Sequence, residues 1–413
     1  MADIAIIEAH PRSGDAIFGR MLLQRLVLIG QRAGVKRFFI AAPEDQQTSL
    51  RAALGGLPDN VELSFVKSRR EVIGRSAPDT SCVMISGNLV MTAAQLQELI
   101  ARHADHPQAV LELESADREH GGAVRVGPLA RLLNGDAAAA VKPGQRLPFA
   151  LNHRREDLRE AELRLARQLR YDSAEKDAPL ARWLDRRLSW RISYWLAHTA
   201  VTPNQVTLAA TVLGLTSAVL FAFPGYWPRV AASLIFLAAT TADGVDGELA
   251  RLKLAESAGG ARLDTLTDNL VHVGLFAGIM AGCYRASLSR FYPLLLPVLL
   301  GGFALFAVVE HRAREIGGER EWLAKLEQLT GRDFAYLLLA LALLNSIYLF
   351  AWGAAFGTYV AAFLLWRAVN KRARAAAKGG PAARFAGGAV NRSLLSELEG
   401  LWRELAQTVR RCV

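Results

Sequence analysis

The 413-residue chain has little cysteine. Cys82, Cys283 and Cys412 lie far apart, which excludes a disulfide framework and a cysteine-rich zinc site. Its first residues, Met-Ala-Asp-Ile-Ala-Ile-Ile-Glu, lack a basic flank and a long apolar run, so no signal peptide is expected and the N-terminus is expected in the cytoplasm. Acidic residues are outnumbered, 39 Asp plus Glu against 49 Lys plus Arg, a formal charge of +10. That balance excludes an acidic disordered chain and leaves two settings, nucleic acid or an anionic membrane surface.

Charge is also missing from long stretches of the second half. Residues 206–223, 230–242 and 291–309 carry none, 270–284 carry only His272, and 334–366 form 33 uncharged residues, enough for two spans joined near Asn345-Ser346. Segments of this length suit a bilayer, and six helices are expected between about 204 and 370. Basic residues set the orientation. Arg229, Arg285 and Arg290 follow the first, third and fifth spans. Arg251, Lys253, Arg262, Arg312, Arg314, Arg320, Lys325 and Arg332 follow the second and fourth, and Arg367, Lys371, Arg372 and Arg374 follow the last. Both termini are thus expected inside. The positive charge is accounted for by this bias, and a nucleic-acid partner is unnecessary.

Before the membrane the pattern is α/β. Short apolar runs at 4–7, 36–41, 81–85 and 109–113 read as strands, and 19–33 and 93–103 as helices, an alternation that predicts a parallel, doubly wound sheet. Residues 150–170, rich in Arg and Glu, predict a solvated helix. Over 177–199, Leu180, Trp183, Leu184, Leu188, Ile192, Trp195 and Leu196 share one helical face and Arg182, Arg186, Arg187 and Arg191 the other, the pattern of a helix on the membrane surface or packed on the soluble domain. A second amphipathic helix is expected in the tail, from Asn391 to Arg411, with Leu394, Leu398, Leu401, Leu405 and Val409 on its apolar face. The resulting division is 1–145 (α/β), 146–176 (helical linker), 177–203 (interfacial helix), 204–370 (membrane domain) and 371–413 (tail).

Four aspartates stand where two spans meet. Asp243 and Asp246 are three apart and Asp264 and Asp268 four apart, so each pair shares a helix face. Insertion scales put a membrane aspartate at about 2.5–3.5 kcal/mol, so four unpaired ones would cost on the order of 10 kcal/mol. Arg251 and Arg262 offset part of this, and divalent cations fit the remaining negative charge. Two metals sharing carboxylates stabilise in-line displacement at phosphorus. Gly247 and Ala250 follow Asp243 by one and two turns and leave room for a flat ligand, and Arg251 can hold a phosphate oxygen.

The stretch Asp243-x2-Asp246-Gly247-x2-Ala250-Arg251-x8-Gly260-x3-Asp264-x3-Asp268 matches the CDP-alcohol phosphotransferase signature without departure. Thr202-Pro203-Asn204-x2-Thr207 resembles that family's entry to the first span, and Glu310-His311-Arg312-Ala313-Arg314-Glu315 its basic segment after the fourth. The resemblance covers about 177–370. It implies a six-helix, dimeric membrane enzyme that moves a phospho-alcohol unit from a CDP-alcohol to a second alcohol and releases CMP. It implies two divalent ions, Mg²⁺ or Mn²⁺, on Asp243, Asp246, Asp264 and Asp268, with Asp268 as the general base. Asn204, Thr207, Gly247, Ala250, Arg251 and Gly260 would contact the CDP group, Arg312 and Arg314 an acceptor phosphate, and His272 would support or pack.

The N-terminal half resembles the nucleotidyltransferase-like cytidylyltransferase domain of bifunctional enzymes that make di-myo-inositol phosphate, through Phe18-Gly19-Arg20-Met-Leu-Leu and Ala33-Gly34-Val35. Its loop, Glu8-Ala9-His10-Pro11-Arg12-Ser13-Gly14-Asp15, is not the Gly-rich, Lys-bearing cradle a triphosphate needs, and Asn88 stands where the metal-binding aspartate is expected. The expectation is a degenerate domain. The donor is then CDP-diacylglycerol or CDP-inositol, and the setting the inner membrane. A cation transporter would place charges mid-span and show repeats in its two halves, and neither is visible. A scaffold derived from the enzyme is the other alternative.

Overall fold

The computed structural model describes residues 2–58, 60–115, 122–141, 147–151, 155–174, 185–316 and 333–377. Two compact units form. The first is Met1–Ser217 with Ala232–Gly274 and Gln328–Leu337; the second is Ala218–Ala231, Leu275–Glu327 and Leu338–Val413.

In the first unit the strands are β1 (Ile4–Glu8), β2 (Ala16–Ile17), β3 (Arg20–Met21), β4 (Arg37–Ala41), β5 (Glu62–Val66), β6 (Ser81–Ser86), β7 (Leu89–Val90), β8 (Leu111–Glu114), β9 (Ala123–Pro128), β10 (Ala139–Val141) and β11 (Phe149–Ala150). The helices of this part are α1 (Leu22–Arg32), α2 (Glu44–Ala53), α3 (Ala93–Asp105), α4 (Leu129–Asn134) and α5 (Arg155–Ala174). Seven strands form one sheet in the order β10-β8-β9-β6-β1-β4-β5. β1 lies parallel between β4 and β6, with Ile4 opposite both Arg37 and Cys82. Such a central strand is covered on both faces and reads as an unbroken apolar run. Ala5 and Ile7 turn to one face, with Val83, Ile85, Leu26 of α1 and Leu96 of α3. Ile4 and Ile6 turn to the other, with Cys82, Met84, Val72 and Leu129 and Leu132 of α4.

The all-parallel expectation is corrected by β9, which runs antiparallel to both β6 and β8. β8 and β9 lie side by side, and the returning strand carries Val124 and Val126 into the core that β1 and β6 also face. The helix expected over 19–33 begins later, at Leu22, because Phe18 and Gly19 adopt positive φ in a tight β2–β3 turn. α3 opens at Thr92, whose hydroxyl accepts from the Gln95 amide while the Gln95 side chain accepts from the Thr92 N–H, a reciprocal N-cap. α5 is not simply solvated: Ala161, Leu165 and Ala166 are buried, so a narrow apolar stripe among its Arg and Glu residues packs on the core.

The remaining helices are α6 (Asp185–Ala197), α7 (Pro203–Phe221), α8 (Tyr226–Lys253), α9 (Ala258–Ser287), α10 (Phe291–Ile316), α11 (Asp333–Leu343) and α12 (Ile347–Ala377). Among the described residues five are long and apolar enough to cross a bilayer: α7, α8, α9, α10 over Phe291–Arg312, and α12 over Ile347–Arg367. No more than 50% of any such stretch is buried, so the apolar surface faces outward as in lipid rather than inward as in a soluble core. The sixth expected span is the shorter α11, of which Phe334–Leu343 is apolar. The chain breaks between α11 and α12 at Asn345, in the left-handed region at φ 53°.

On α6, Ser189, Trp190 and Ser193 are buried while Leu188, Ile192 and Trp195 are exposed. Residues 177–184 of the expected interfacial segment and the tail helix expected over 391–411 lie outside the described residues. In the second unit, α9 crosses the end of α7 closely. A Cβ on Gly278 would strike the Ala218 carbonyl and one on Gly282 the Phe221 carbonyl, the small-residue packing that lets helices meet in membranes.

Candidate functional site

The spacing of the aspartates becomes a geometry at the α8–α9 turn, inside the first unit. Asp243 and Asp246 lie near the end of α8, and Asp264 and Asp268 in the opening turns of α9. Asp243, Asp246 and Asp264 each bring one carboxylate oxygen within 4.8 Å of the other two. The Asp268 carboxyl faces all three. Repulsion between two carboxylates at that range is on the order of 3 kcal/mol at an effective dielectric of 20, and three pairs act together. The all-oxygen donor set is that of a hard divalent cation, so these residues fit one.

α7 closes the third side. The Thr207 hydroxyl donates to Asp246 Oδ2, and both residues are buried. Asn204, exposed in the first turn of α7, places Oδ1 3.3 Å from where a Cβ would stand on Gly260. Gly260 in turn donates its N–H to Ser257 Oγ at 3.0 Å, the N-cap of α9. The Arg251 guanidinium lies over Gly247, 3.5 Å from the position of a Cβ there. Ala250 is half-buried beside it. Thus Asn204, Thr207, Gly247, Ala250, Arg251 and Gly260 stand around the same turn as the aspartates. His272 donates Nδ1–H to the Asp268 carbonyl at 2.7 Å, and its ring lies 5.7 Å from that of Phe334. Arg312 is exposed on α10 in the second unit, and Arg314 lies one half-turn further along that helix.

Sequence reasoning missed Glu248. It occupies an unspecified position of the motif, two residues past Asp246, and so faces away from the aspartates. It is fully buried, and accepts from Ser189 Oγ at 2.8 Å and Ser193 Oγ at 2.7 Å, which binds α6 to the aspartate-bearing helix. The signal was the serine pair four apart on α6.

The α/β part places its candidate residues differently. Asn88 is buried, its Nδ2 donates to the Leu151 carbonyl at 3.1 Å, and the Leu151 N–H returns to the Asn88 carbonyl at 2.8 Å. Residues Pro11–Gly14 form a 3-10 turn whose buried Ser13 donates Oγ–H to the Gly87 carbonyl at 2.9 Å and accepts from the His10 N–H at 2.9 Å. Arg12 is paired with Asp15. A Cβ on Gly87 would collide with the Glu8 carbonyl, so the two loops pack backbone to backbone.

Residues 200–369 match the model of the CDP-alcohol phosphatidyltransferase family. The chain's apolar helices, five of them long enough to cross a bilayer among the described residues, accord with an integral membrane protein. The chain is also similar to proteins called bifunctional IPC transferase and DIPP synthase. The one from Thermococcus kodakarensis is 35% identical over 125 residues, 29% of this chain and 27% of the relative. The one from Rubrobacter xylanophilus is 34% identical over 142 residues, 34% of this chain and 32% of the relative. The aligned part thus spans about a quarter to a third of these curated relatives. A phosphatidylinositol phosphate synthase from Mycobacterium tuberculosis with CDP-DAG bound is similar at 21% identity and a TM-score of 0.31, over 44% of this chain and 94% of that one.

Proposed function

We propose that this protein moves a phospho-alcohol group from a CDP-alcohol to the hydroxyl of a second alcohol and releases CMP. The observation that carries the reading is the convergence of Asp243, Asp246 and Asp264 within 4.8 Å, with Asp268 facing them, inside a matched family domain. Asp243, Asp246 and Asp264, with Asp268, would hold two divalent ions, Mg²⁺ or Mn²⁺. When bound, these ions neutralise the diphosphate and stabilise the leaving CMP. Thr207 fixes the Asp246 carboxylate by its hydroxyl. Asp268 takes the proton of the acceptor hydroxyl as its oxygen attacks the phosphorus bearing the alcohol. The bond from that phosphorus to the bridging oxygen breaks, and CMP departs with the electron pair. Arg251, lying over Gly247, holds a phosphate oxygen of the donor. Asn204 and Gly260, which adjoin one another, line the nucleotide side, and Arg312 and Arg314 receive an acceptor phosphate.

The α/β half on this reading is nucleotidyltransferase-like and catalytically silent, since Asn88 and Ser13 bind the chain itself. The donor is CDP-inositol or CDP-diacylglycerol. The names of the relatives from Thermococcus and Rubrobacter favour the former, and the exposed apolar helices would admit the latter from the bilayer. The protein acts as a dimer in the inner membrane with both termini in the cytoplasm. The test is CMP release by purified protein given each donor with inositol phosphate, inositol, glycerol phosphate or serine, in Mg²⁺ and then in EDTA. Metal-dependent CMP with one pair names both substrates. Silence with every pair, together with failure to bind either CDP-alcohol, overturns the reading.

A further inference from the structure

An α-helix ends with carbonyls that its own backbone cannot satisfy. In α8 all four can be traced. The Ala255 N–H donates to the Ala250 carbonyl at 2.8 Å and the Leu254 N–H to the Arg251 carbonyl at 3.3 Å, the paired bonds of a Schellman end, with Leu254 in the left-handed region at φ 51°. The other two are taken by the α/β part. Arg25 Nη1 donates to the Leu252 carbonyl at 2.7 Å, and Arg20 Nε to the Lys253 carbonyl at 2.6 Å. One turn on, Arg32 pairs with Glu256 in the link to α9. From the other side, Lys253 Nζ donates to the Thr199 and Val201 carbonyls at 2.6 and 2.9 Å, just ahead of α7.

Arg25 is 2% exposed. It donates to the main-chain carbonyls of Leu252 and, at 3.4 Å, of Ile17, with Glu162 acting at longer range. Burial pushes its guanidinium down to about 9. A buried cation is unfavourable unless well placed, and the C-terminal end of a helix is where a cation is well placed. Arg251, the proposed phosphate holder, is one residue from the first capped carbonyl, and Asp246 is less than two turns back. Glu256 lies ten residues after Asp246 and eight before Asp264 along the chain.

We infer that Arg20, Arg25 and Arg32 are positioning residues for the α8–α9 site: the α/β domain caps the aspartate-bearing helix and thereby sets the spacing of Asp243 and Asp246 against Asp264 and Asp268. The inference rests on the reading of these aspartates given above. It assigns the α/β domain a role in the membrane-embedded reaction that needs no nucleotide of its own.

The test uses the full-length protein in detergent or nanodiscs, with Mn²⁺ alone as a probe of the aspartates and CMP release as the second readout. Arg20 is only half-buried, so Arg20→Ala is expected to fold. It should weaken Mn²⁺ binding several-fold and lower kcat for CMP release about tenfold, since small displacements of reacting groups are costly. Arg20→Lys, which keeps a donor for the Lys253 carbonyl, should recover most of both. Arg25→Gln should exceed Arg20→Ala if it folds; if it does not, the Arg20 pair decides. An Arg20→Ala protein that melts earlier but binds Mn²⁺ and turns over as the parent does would overturn the inference, leaving a merely structural contact. If the parent binds Mn²⁺ yet releases no CMP, the enzyme reading fails while the Arg20 variants still decide the capping. If the parent binds no Mn²⁺, both fall.

Discussion

The two halves of the first unit use polar side chains in opposite ways. In the α/β half, Asn88 and Ser13 turn their polar atoms onto the chain, to Leu151 and Gly87, and hold loops together. At the α8–α9 turn, Asp243, Asp246, Asp264 and Asp268 turn toward one another. A neutral amide satisfied by main chain stabilises a fold and asks for nothing more. Gathered carboxylates destabilise it until a cation arrives. Carboxylates gathered this closely suit a cation-binding site, and an amide bonded to main chain suits a structural part.

The sharpest way to break this contrast is to remove a charge from the cluster. Asp264→Asn should lower CMP release at least about a thousandfold and leave the protein folded by circular dichroism, because it deletes a ligand and relieves repulsion together. Persisting turnover would show that the cluster is not the reactive centre. The converse experiment adds a charge where the α/β half has none. Asn88→Asp should confer no nucleotidyl transfer and should destabilise by about 1–3 kcal/mol in thermal unfolding, since a buried carboxylate loses the Nδ2 donor to Leu151. A stable, nucleotide-binding Asn88→Asp would mean that the domain is one residue from activity. Thr207→Val should lower kcat about fivefold at saturating donor, the scale of one hydrogen bond near 1 kcal/mol, with a higher Mg²⁺ requirement. The smallest effect concerns the sheet. Burial pushes the Cys82 thiol up to about 12 from 9.0. Above pH 9 the unfolded chain loses this proton and the folded one keeps it, so stability falls as pH rises through that window, by about 0.4 kcal/mol at pH 9 itself. Cys82→Ala should flatten this part of the melting-temperature profile.

Periodicity and composition made much of this legible in the sequence. The runs at 4–7, 36–41 and 81–85 are central strands because burial on both faces leaves no polar alternation to misread. The break at Asn345-Ser346 was visible as a polar pair in an apolar run. β9 was hidden: Ala123–Pro128 mixes Val124 and Val126 with a polar Arg125, and its direction depends on pairing partners rather than on its own residues. At the turn, spacing predicted that each aspartate pair shares a face and that the two helices meet. It could not show Thr207 on Asp246, since that bond joins residues 39 apart. Glu248 was hidden for a similar reason, because its partners Ser189 and Ser193 lie more than 50 residues upstream.

The arginine caps also impose an order in time. Arg25 precedes Leu252 by 227 residues and Arg20 precedes Lys253 by 233. Chains are made from the N-terminus, and domains tend to fold as they emerge. The sheet with α1 can therefore be complete while α8 is still being synthesised, and the helix end meets a finished receptor as it leaves the ribosome. Synthesis rate across residues 150–250 thus becomes a variable of assembly: a pause there lengthens the interval in which the receptor matures before its helix arrives.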